Sequence, residues 1–381
     1  MRILHVVSYY NSLMRYQEYY LAREHQKQGH KVFIITSDKN YPFKDYKNTA
    51  EPIYGSRIIG TGDFVEEGLV IIRLKSLFDI HTRVFLKGLY KKIKSLSPDL
   101  VIIHGIVNFS ALQLLFRKRC ARYVFDDHML TNQISKSLPG KAAYALFRIF
   151  LKKRLLKVAD KIIAISDGCI PVINKVYGVP YERIQMVPLG ADIDLFKPDM
   201  QTRIETRRSL GIESSEIVLI YTGKIIRGKM PHLIIEAVNG ISYKEKVHLL
   251  FVGNQESGYS DEFNKILGQS RYPYTLLPNQ PPEELAKLFN AADLAVYPSQ
   301  ATISTIEASA CSIPVICTNE IPERYKSGNG IGIEPGNVEQ LKAAITSLLI
   351  DGELREKMGK KGRVYVMKEL SWDEISKKFI S

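Results

Sequence analysis

Lys224 and Lys229 lie five residues apart and bracket a turn that follows the β-like run 217–221. Their ammonium groups are point charges able to converge on one pair of phosphates. A departing phosphate group needs such cations in place before its bond breaks. A second set is Ser304-Thr305-Ile306-Glu307. The turn 303–305 opens a helix whose free amides and dipole favour phosphate. Ser304 is also of the type that caps helices, and Glu307 sits one turn in. A third set is Asp126-Asp127-His128, after the β-like run 123–125, with His104-Gly105 ending another run and Arg15 near the first strand-to-helix loop. Each set has a plainer reading as well. The lysines can be solvated charges, Glu307 a helix-start carboxylate favoured by the dipole, and His128 a loop imidazole bonded to an aspartate.

These residues need elements to hold them. Apolar runs at 3–7, 31–35, 70–73, 100–103, 123–125, 162–165 and 184–187 alternate with helical stretches at 13–28, 83–96, 109–119 and 142–158. The rhythm pauses between Pro188 and Pro198, then restarts. Strands are expected at 217–221, 248–252, 274–277, 294–297, 314–317 and 332–334. Helices are expected at 229–238, 261–267, 282–290, 305–311, 338–349 and 352–366. Repeated βα alternation implies mostly parallel, doubly wound sheets. The expected fold is α/β, with two Rossmann-like lobes facing across a cleft. Residues 38–67 lack periodicity and read as a long insertion, either a functional loop or a surface excursion.

The chain has 381 residues, 45% hydrophobic and 24% charged, which excludes wholesale disorder. Net charge is +13. Residues 1–195 hold 30 of the 53 Lys/Arg but 17 of the 40 Asp/Glu, so the whole excess sits in the first half. Such asymmetry points to an anionic partner or surface. Residues 83–94 and 147–157 interleave cations with apolar side chains, as helices lying on anionic lipid do. A buried apolar face with a solvated basic face is the alternative. No apolar run reaches the ~18 residues of a membrane span, and the start of the chain lacks a signal-peptide pattern. Cys120, Cys169, Cys311 and Cys317 show no zinc or disulfide spacing. The expectation is a cytoplasmic protein, peripheral on the inner face of the plasma membrane through its basic half. No nucleic-acid module is present, and no Gly-rich phosphate loop of the G-x-x-x-x-G-K-[ST] form occurs.

Several stretches, in order, resemble the retaining GT-B glycosyltransferases of glycosyltransferase family 4. Gly223-Lys224 with Lys229 is similar to the family's strand, G-[R/K], five residues, Lys pattern, with Met230 where Gly is usual. Val252-Gly253-Asn254 is similar to its next strand end. Glu307-Ala308 through Pro314-Val315-Ile316 resembles its E-A-x-A-x-G-x-P-V-I signature, with Ser312 where Gly is common. Leu21-Ala22, Gly29 to Val32, Asp126 to His128 and Pro188 to Phe196 complete the likeness. The clear departure is at Ser299, eight residues before Glu307, where the family often has a first glutamate that contacts the donor sugar.

The resemblance implies a glycosyltransferase that takes sugar from a nucleotide diphospho-sugar, UDP- or GDP-linked, with retention of configuration. It implies an acceptor-binding domain over 1–195, a donor domain over 199–365, and a last helix, 366–381, packed back on the first. Catalytic roles fall to Lys224, Lys229 and His128. Donor contacts fall to Gly223, Ser304, Thr305, Glu307, Gly253 and Asn254, with Glu307 on the ribose hydroxyls. The acceptor side falls to His104, Asp127 and Arg15. The acceptor is expected to be a glycan or lipid-linked, in polysaccharide or glycolipid synthesis. No cofactor and no essential metal are implied. Asp192-Ile193-Asp194 has the D-x-D form of metal-dependent transferases but lies in the linker segment. Gly330 to Gly336 has the wrong spacing for a dinucleotide fingerprint. A sugar-nucleotide epimerase or a non-catalytic homologue is the alternative.

Overall fold

The computed structural model describes residues 1–80, 82–135, 137–243, 246–300 and 302–381, with the backbone alone at residue 132. Residue 301, in the short stretch before Glu307, thus lies outside the described residues. The chain divides into two compact units, Met1–Leu189 with Trp372–Ser381, and Gly190–Ser371. The division falls inside the Pro-Gly-Asp segment rather than after it, and the returning piece starts at Trp372.

The first unit holds an eight-stranded sheet. Its strands are β1 (Arg2–Val6), β2 (Lys31–Ser37), β3 (Gly62–Glu66), β4 (Leu69–Leu74), β7 (Leu100–His104), β8 (Arg122–Asp127), β9 (Lys161–Ala164) and β10 (Ile184–Met186). They lie in the order β10-β9-β8-β7-β1-β2-β4-β3. All neighbours are parallel except β3 with β4. β5 (Ser76–Ile80) and β6 (Arg83–Leu86) form a separate antiparallel ribbon. The second unit holds β11 (Ile217–Thr222), β12 (Val247–Val252), β13 (Tyr274–Leu277), β14 (Leu294–Val296), β15 (Val315–Thr318) and β16 (Gly330–Ile333). This sheet is parallel throughout, in the order β13-β12-β11-β14-β15-β16.

Helices cover both faces of a parallel sheet, so its strands are near-continuous apolar runs. β11 and β12 are buried along their whole lengths. In each unit the strand order reverses beside the first strand, between β1 and β7 and between β11 and β14. In open α/β sheets ligands bind at the carboxyl ends of the strands at that reversal.

Three expectations need correction, and one helix was not expected. Residues 83–86 are strand β6, and the helix is only Leu89–Leu96. Gly88, at φ 74°, separates the two. The helix expected over 13–28 starts at Gln17, because Arg15 adopts φ 46° and ends a short 3-10 turn. The insertion is not structureless: it forms two one-turn helices, Tyr46–Thr49 and Glu51–Tyr54, and then edge strand β3. Met200–Ser209 is a helix that hydrophobic periodicity does not reveal. It is held instead by charge, since Arg203 and Arg207 both reach Asp293, at 2.6 and 2.5 Å.

The last helix, Trp372–Ile380, packs on the first unit. The Trp372 ring stacks on Tyr20, with centroids 5.1 Å apart and planes 6° apart. Ile375 and Phe379 are buried. Gln28 donates to Ser376 Oγ at 2.8 Å. Trp372→Ala is therefore expected to cost this unit about 3–5 kcal/mol. Trp372 is the single tryptophan, so its emission reports undocking of the helix. Denaturant unfolding followed by circular dichroism checks the loss, and an unchanged midpoint would refute it.

Candidate active site

The residues singled out by sequence fall on both units. On the second unit, β11 ends in Gly223-Lys224. Tyr221 donates its hydroxyl to the Lys224 carbonyl at 2.9 Å, which fixes the turn. Gly223 has φ 129°, and a Cβ there would come within 3.3 Å of Lys229 Nζ. The missing side chain thus leaves room for that ammonium. Burial, and then the neighbouring Lys224 charge, hold Lys229 below the ordinary lysine range. Gly253, at the end of β12, has φ 156°, and a Cβ there would meet the Gly223 carbonyl oxygen at 1.9 Å. The two glycines let adjacent turns touch. Asn254 accepts the Asn279 amide at 2.9 Å.

Beyond β14 the structure brings Ser299 and the helix Ser304–Ala310 to the same end of the sheet. Ser299 Oγ donates to the Gly228 carbonyl at 3.0 Å. The position without the first glutamate therefore braces the loop that leads to Lys229. Glu307 is pushed up to about 7 by burial, against the opposing pull of the Ser304 side chain. Ser304 is thus the first residue inside the helix, not a side-chain cap. Thr305 is fully buried and turns its hydroxyl back to the Thr302 carbonyl at 2.7 Å, which removes it from ligand contact.

Both glycine positions that this sequence replaces keep a left-handed backbone, with Met230 at φ 52° and Ser312 at φ 61°. The Ser312 carbonyl lies where a Cβ on Gly359 would be, 2.0 Å away.

On the first unit, His104, Asp126 and His128 gather at the carboxyl ends of β7 and β8. His104 Nδ1 lies 2.7 Å from Asp126 Oδ2, and His128 Nε2 lies 3.4 Å from Asp126 Oδ1. Burial opposes ionisation of Asp126, but the His104 and His128 charges outweigh it and hold its carboxyl well below the usual range. His128 is exposed, its side chain retaining 42% of its accessible surface. His104 is buried with both ring nitrogens committed. Asp127 is buried and accepts the Ile106 and Met129 amides at 3.1 and 2.9 Å. The Asp127 oxygens hold two loop amides, and the His104 nitrogens are bonded to His5 and Asp126. Burial pushes Asp127 up to about 6. Arg15 stands in the first loop after the turn Ser12–Met14.

The polar atoms of His104, Asp126 and His128 lie within 4.8 Å of one another. Ligands of one ion with bonds of about 2.1 Å stand roughly 3.4 Å apart in tetrahedral geometry. The 2.7 Å His104–Asp126 contact is a hydrogen bond. Sequence reading missed His5 and His25, which extend the cluster inward. The available signal was a lone histidine in the otherwise apolar run of β1.

Two Rossmann-like units, each with its polar groups at a strand-order reversal, make the GT-B architecture. Solved structures agree over nearly the whole chain. A glycosyltransferase from Rickettsia africae matches with TM-score 0.74 and 17% identity over 100% of this chain and 96% of that one. Sucrose-phosphate synthase from Thermosynechococcus elongatus matches with TM-score 0.70 and 18% identity, over 99% and 96%. Anabaena HepE in complex with UDP and glucose matches with TM-score 0.68 and 15% identity, over 100% and 98%. Residues 202–365 match the glycosyl transferases group 1, and residues 18–195 match glycosyltransferase family 4. The chain belongs to this glycosyltransferase family. D-inositol 3-phosphate glycosyltransferase of Segniliparus rotundus is 29% identical over 246 residues, 61% of this chain and 54% of its own. The protein of the same name from Corynebacterium jeikeium is 27% identical over 267 residues, 66% and 63%. The chain thus spans little more than half the length of these relatives.

Gly253→Ala is expected to destabilise the second unit by at least about 2 kcal/mol, through overpacking and backbone strain. Ser312→Gly is expected to stabilise it by up to about 1 kcal/mol by relieving the left-handed backbone. Thermal unfolding of the two variants should move in opposite directions, and the same direction for both would contradict the assignment.

Proposed function

We propose that the protein transfers a sugar from a nucleotide diphospho-sugar, bound on the second unit, to an acceptor bound on the first. The observation that carries this reading is Lys229 Nζ seated against Gly223 at the end of β11. That end lies at the strand-order reversal, with Gly253 and Glu307 on neighbouring connections. Lys229, with Lys224 beside it, would neutralise the departing diphosphate, and preorganised charge there lowers the barrier most. Glu307 would accept the ribose hydroxyls. Bound UDP in the HepE structures supports a uridine nucleotide. The family's habit supports retention, with the departing phosphate taking the acceptor proton and no protein nucleophile.

The basic first unit suits an anionic acceptor. The names of the relatives favour a polyol phosphate. The surface favours a lipid-linked one. Leu138, Leu146, Ile149 and Phe150 are exposed on consecutive helical turns that also carry Lys141, Arg148, Lys153 and Arg154. Beside them lies a groove of about 880 Å³ lined by Val107, Leu112, Tyr144, Phe147, Phe150 and Leu151. Of the two basic amphipathic stretches, this one exposes large apolar side chains, Ile149 and Phe150, although its Phe147 and Leu155 are buried. In the other, Val84, Leu86, Leu89 and Ile93 are fully buried, so a packed face with solvated cations is what that segment is. No helix among the described residues is long and apolar enough to cross a membrane.

Calorimetric titration with a panel of nucleotide sugars should show one saturable donor, lost in Glu307→Ala and Lys229→Ala. Absence of binding at millimolar concentration would favour a non-catalytic homologue, and turnover of donor without acceptor an epimerase. A Glu307 carboxylate accepts hydroxyls better than the acid does. Donor affinity should therefore strengthen as pH rises through about 7, and Glu307→Gln should abolish that dependence. Vesicles with anionic lipid should co-sediment the protein and neutral ones should not, since each cation near the surface adds about 1 kcal/mol. Changing Ile149 and Phe150 together to Glu should release it, and unchanged binding would remove the lipid reading.

A further inference from the structure

His5, His104 and Asp126 form a diagonal row across three adjacent strands. His5 pairs in register with Ile102, two residues before His104, and His104 pairs with Asp126. Residues two apart on a strand share a face, so all three side chains lie on one side of the sheet. His25, from the helix Gln17–Lys27, and Ser376, from the last helix, close over that side. The contacts run in series. His25 Nε2 lies 3.1 Å from the Ser376 carbonyl, and His25 Nδ1 lies 3.3 Å from His5 Nε2. His5 Nδ1 lies 3.1 Å from His104 Nε2, and His104 Nδ1 lies 2.7 Å from Asp126 Oδ2. His5 and His25 are fully buried.

The protons in this row can be counted. Both ends are acceptors, a carbonyl and a carboxylate. Asp126 also accepts the Gln17 side-chain amide at 3.3 Å and the Gly105 amide at 3.3 Å, besides facing His128, so it is ionised. Four hydrogen bonds in series between two acceptors need four protons. Three neutral imidazoles bring three, because each neutral ring has one N–H. We infer that the row His25–His5–His104 carries one extra proton, a buried monocation paired with Asp126 that fixes the ionised carboxylate on which His128 is oriented. The chain of donors then has one direction. His25 donates from Nε2, His5 from Nε2 and His104 from both nitrogens, so the charge rests on His104 beside the carboxylate. Burial and then the neighbouring imidazoles disfavour charge on His5, and burial does so on His25.

Other ionisable groups face the row. Glu18, on the helix of His25, is buried and raised by burial, which keeps it a poor competitor for the charge. His30 lies beside His25 with ring centroids 6.3 Å apart, and Asp127 and His128 flank Asp126. Attraction to the Asp126 carboxylate raises His128 and favours its cation. Its Nε2 is the ring nitrogen that faces Asp126, at 3.4 Å. His5, His25 and His104 act here as positioning residues, and through them the last helix is tied to His128. The count stands whether or not the second unit takes a nucleotide sugar, so it can fail independently of the proposed function.

The test is nitrogen-detected NMR of the full chain labelled with ¹⁵N-histidine at pH 8. Expected are one imidazolium and two neutral Nε2–H rings among His5, His25 and His104. Three neutral rings would overturn the inference. Asp126→Asn supplies an amide donor in place of the carboxylate, so three protons then suffice. In that variant the imidazolium signal should vanish and the apparent ionisation of His128 should fall by about one pH unit or more. An imidazolium that survives in Asp126→Asn, with His128 unmoved, would equally overturn it.

Discussion

A parallel sheet covered on both faces leaves its central strands no solvent. Every polar group on β1, β7, β8, β11 or β12 must then stand at a strand end or be hydrogen-bonded to another buried polar group, since an unpaired one costs about 1–3 kcal/mol. This constraint sorts the molecule. On the second unit the strand interiors are almost wholly apolar, and the chemistry is pushed to the turns after β11 and β12. On the first unit one polar row, His5 to Asp126, survives inside because it is bonded from end to end.

The turns on the second unit show how close approach is arranged. Gly253 exists where it does because the Gly223 carbonyl occupies the space of a Cβ. Gly223 in turn yields its own space to Lys229. The two departures from the family's glycines, Met230 and Ser312, change the side chain and not the backbone, which remains left-handed at both. The third departure, Ser299, turns a position usually given to sugar contact into a brace on the Gly228 carbonyl.

Much of this was legible in the sequence. The buried strands read directly as apolar runs, because parallel strands need no alternation. The strand ends carrying Lys224, Gly253 and His128 followed from those runs. Residues 83–86 misled because Leu86, Leu89 and Ile93 fall at i, i+3 and i+7, the spacing of one helical face, and Gly88 was the overlooked break. Met200–Ser209 escaped because it is anchored by Arg207 on Asp293 rather than by an apolar stripe. Asp127 and Thr305 are in the expected places but point inward, and side-chain direction is not readable from spacing. His5 and His25 were missed because their partners are 20 to 351 residues away in the chain.

The central claim is that the carboxyl ends of β11, β12 and β14 seat a nucleotide diphosphate. A crystal structure of the protein grown with UDP tests it most directly. The account predicts the diphosphate within hydrogen-bond reach of Lys229 Nζ and the ribose hydroxyls on Glu307. UDP bound elsewhere, or a filled site in which neither residue touches the nucleotide, would contradict it.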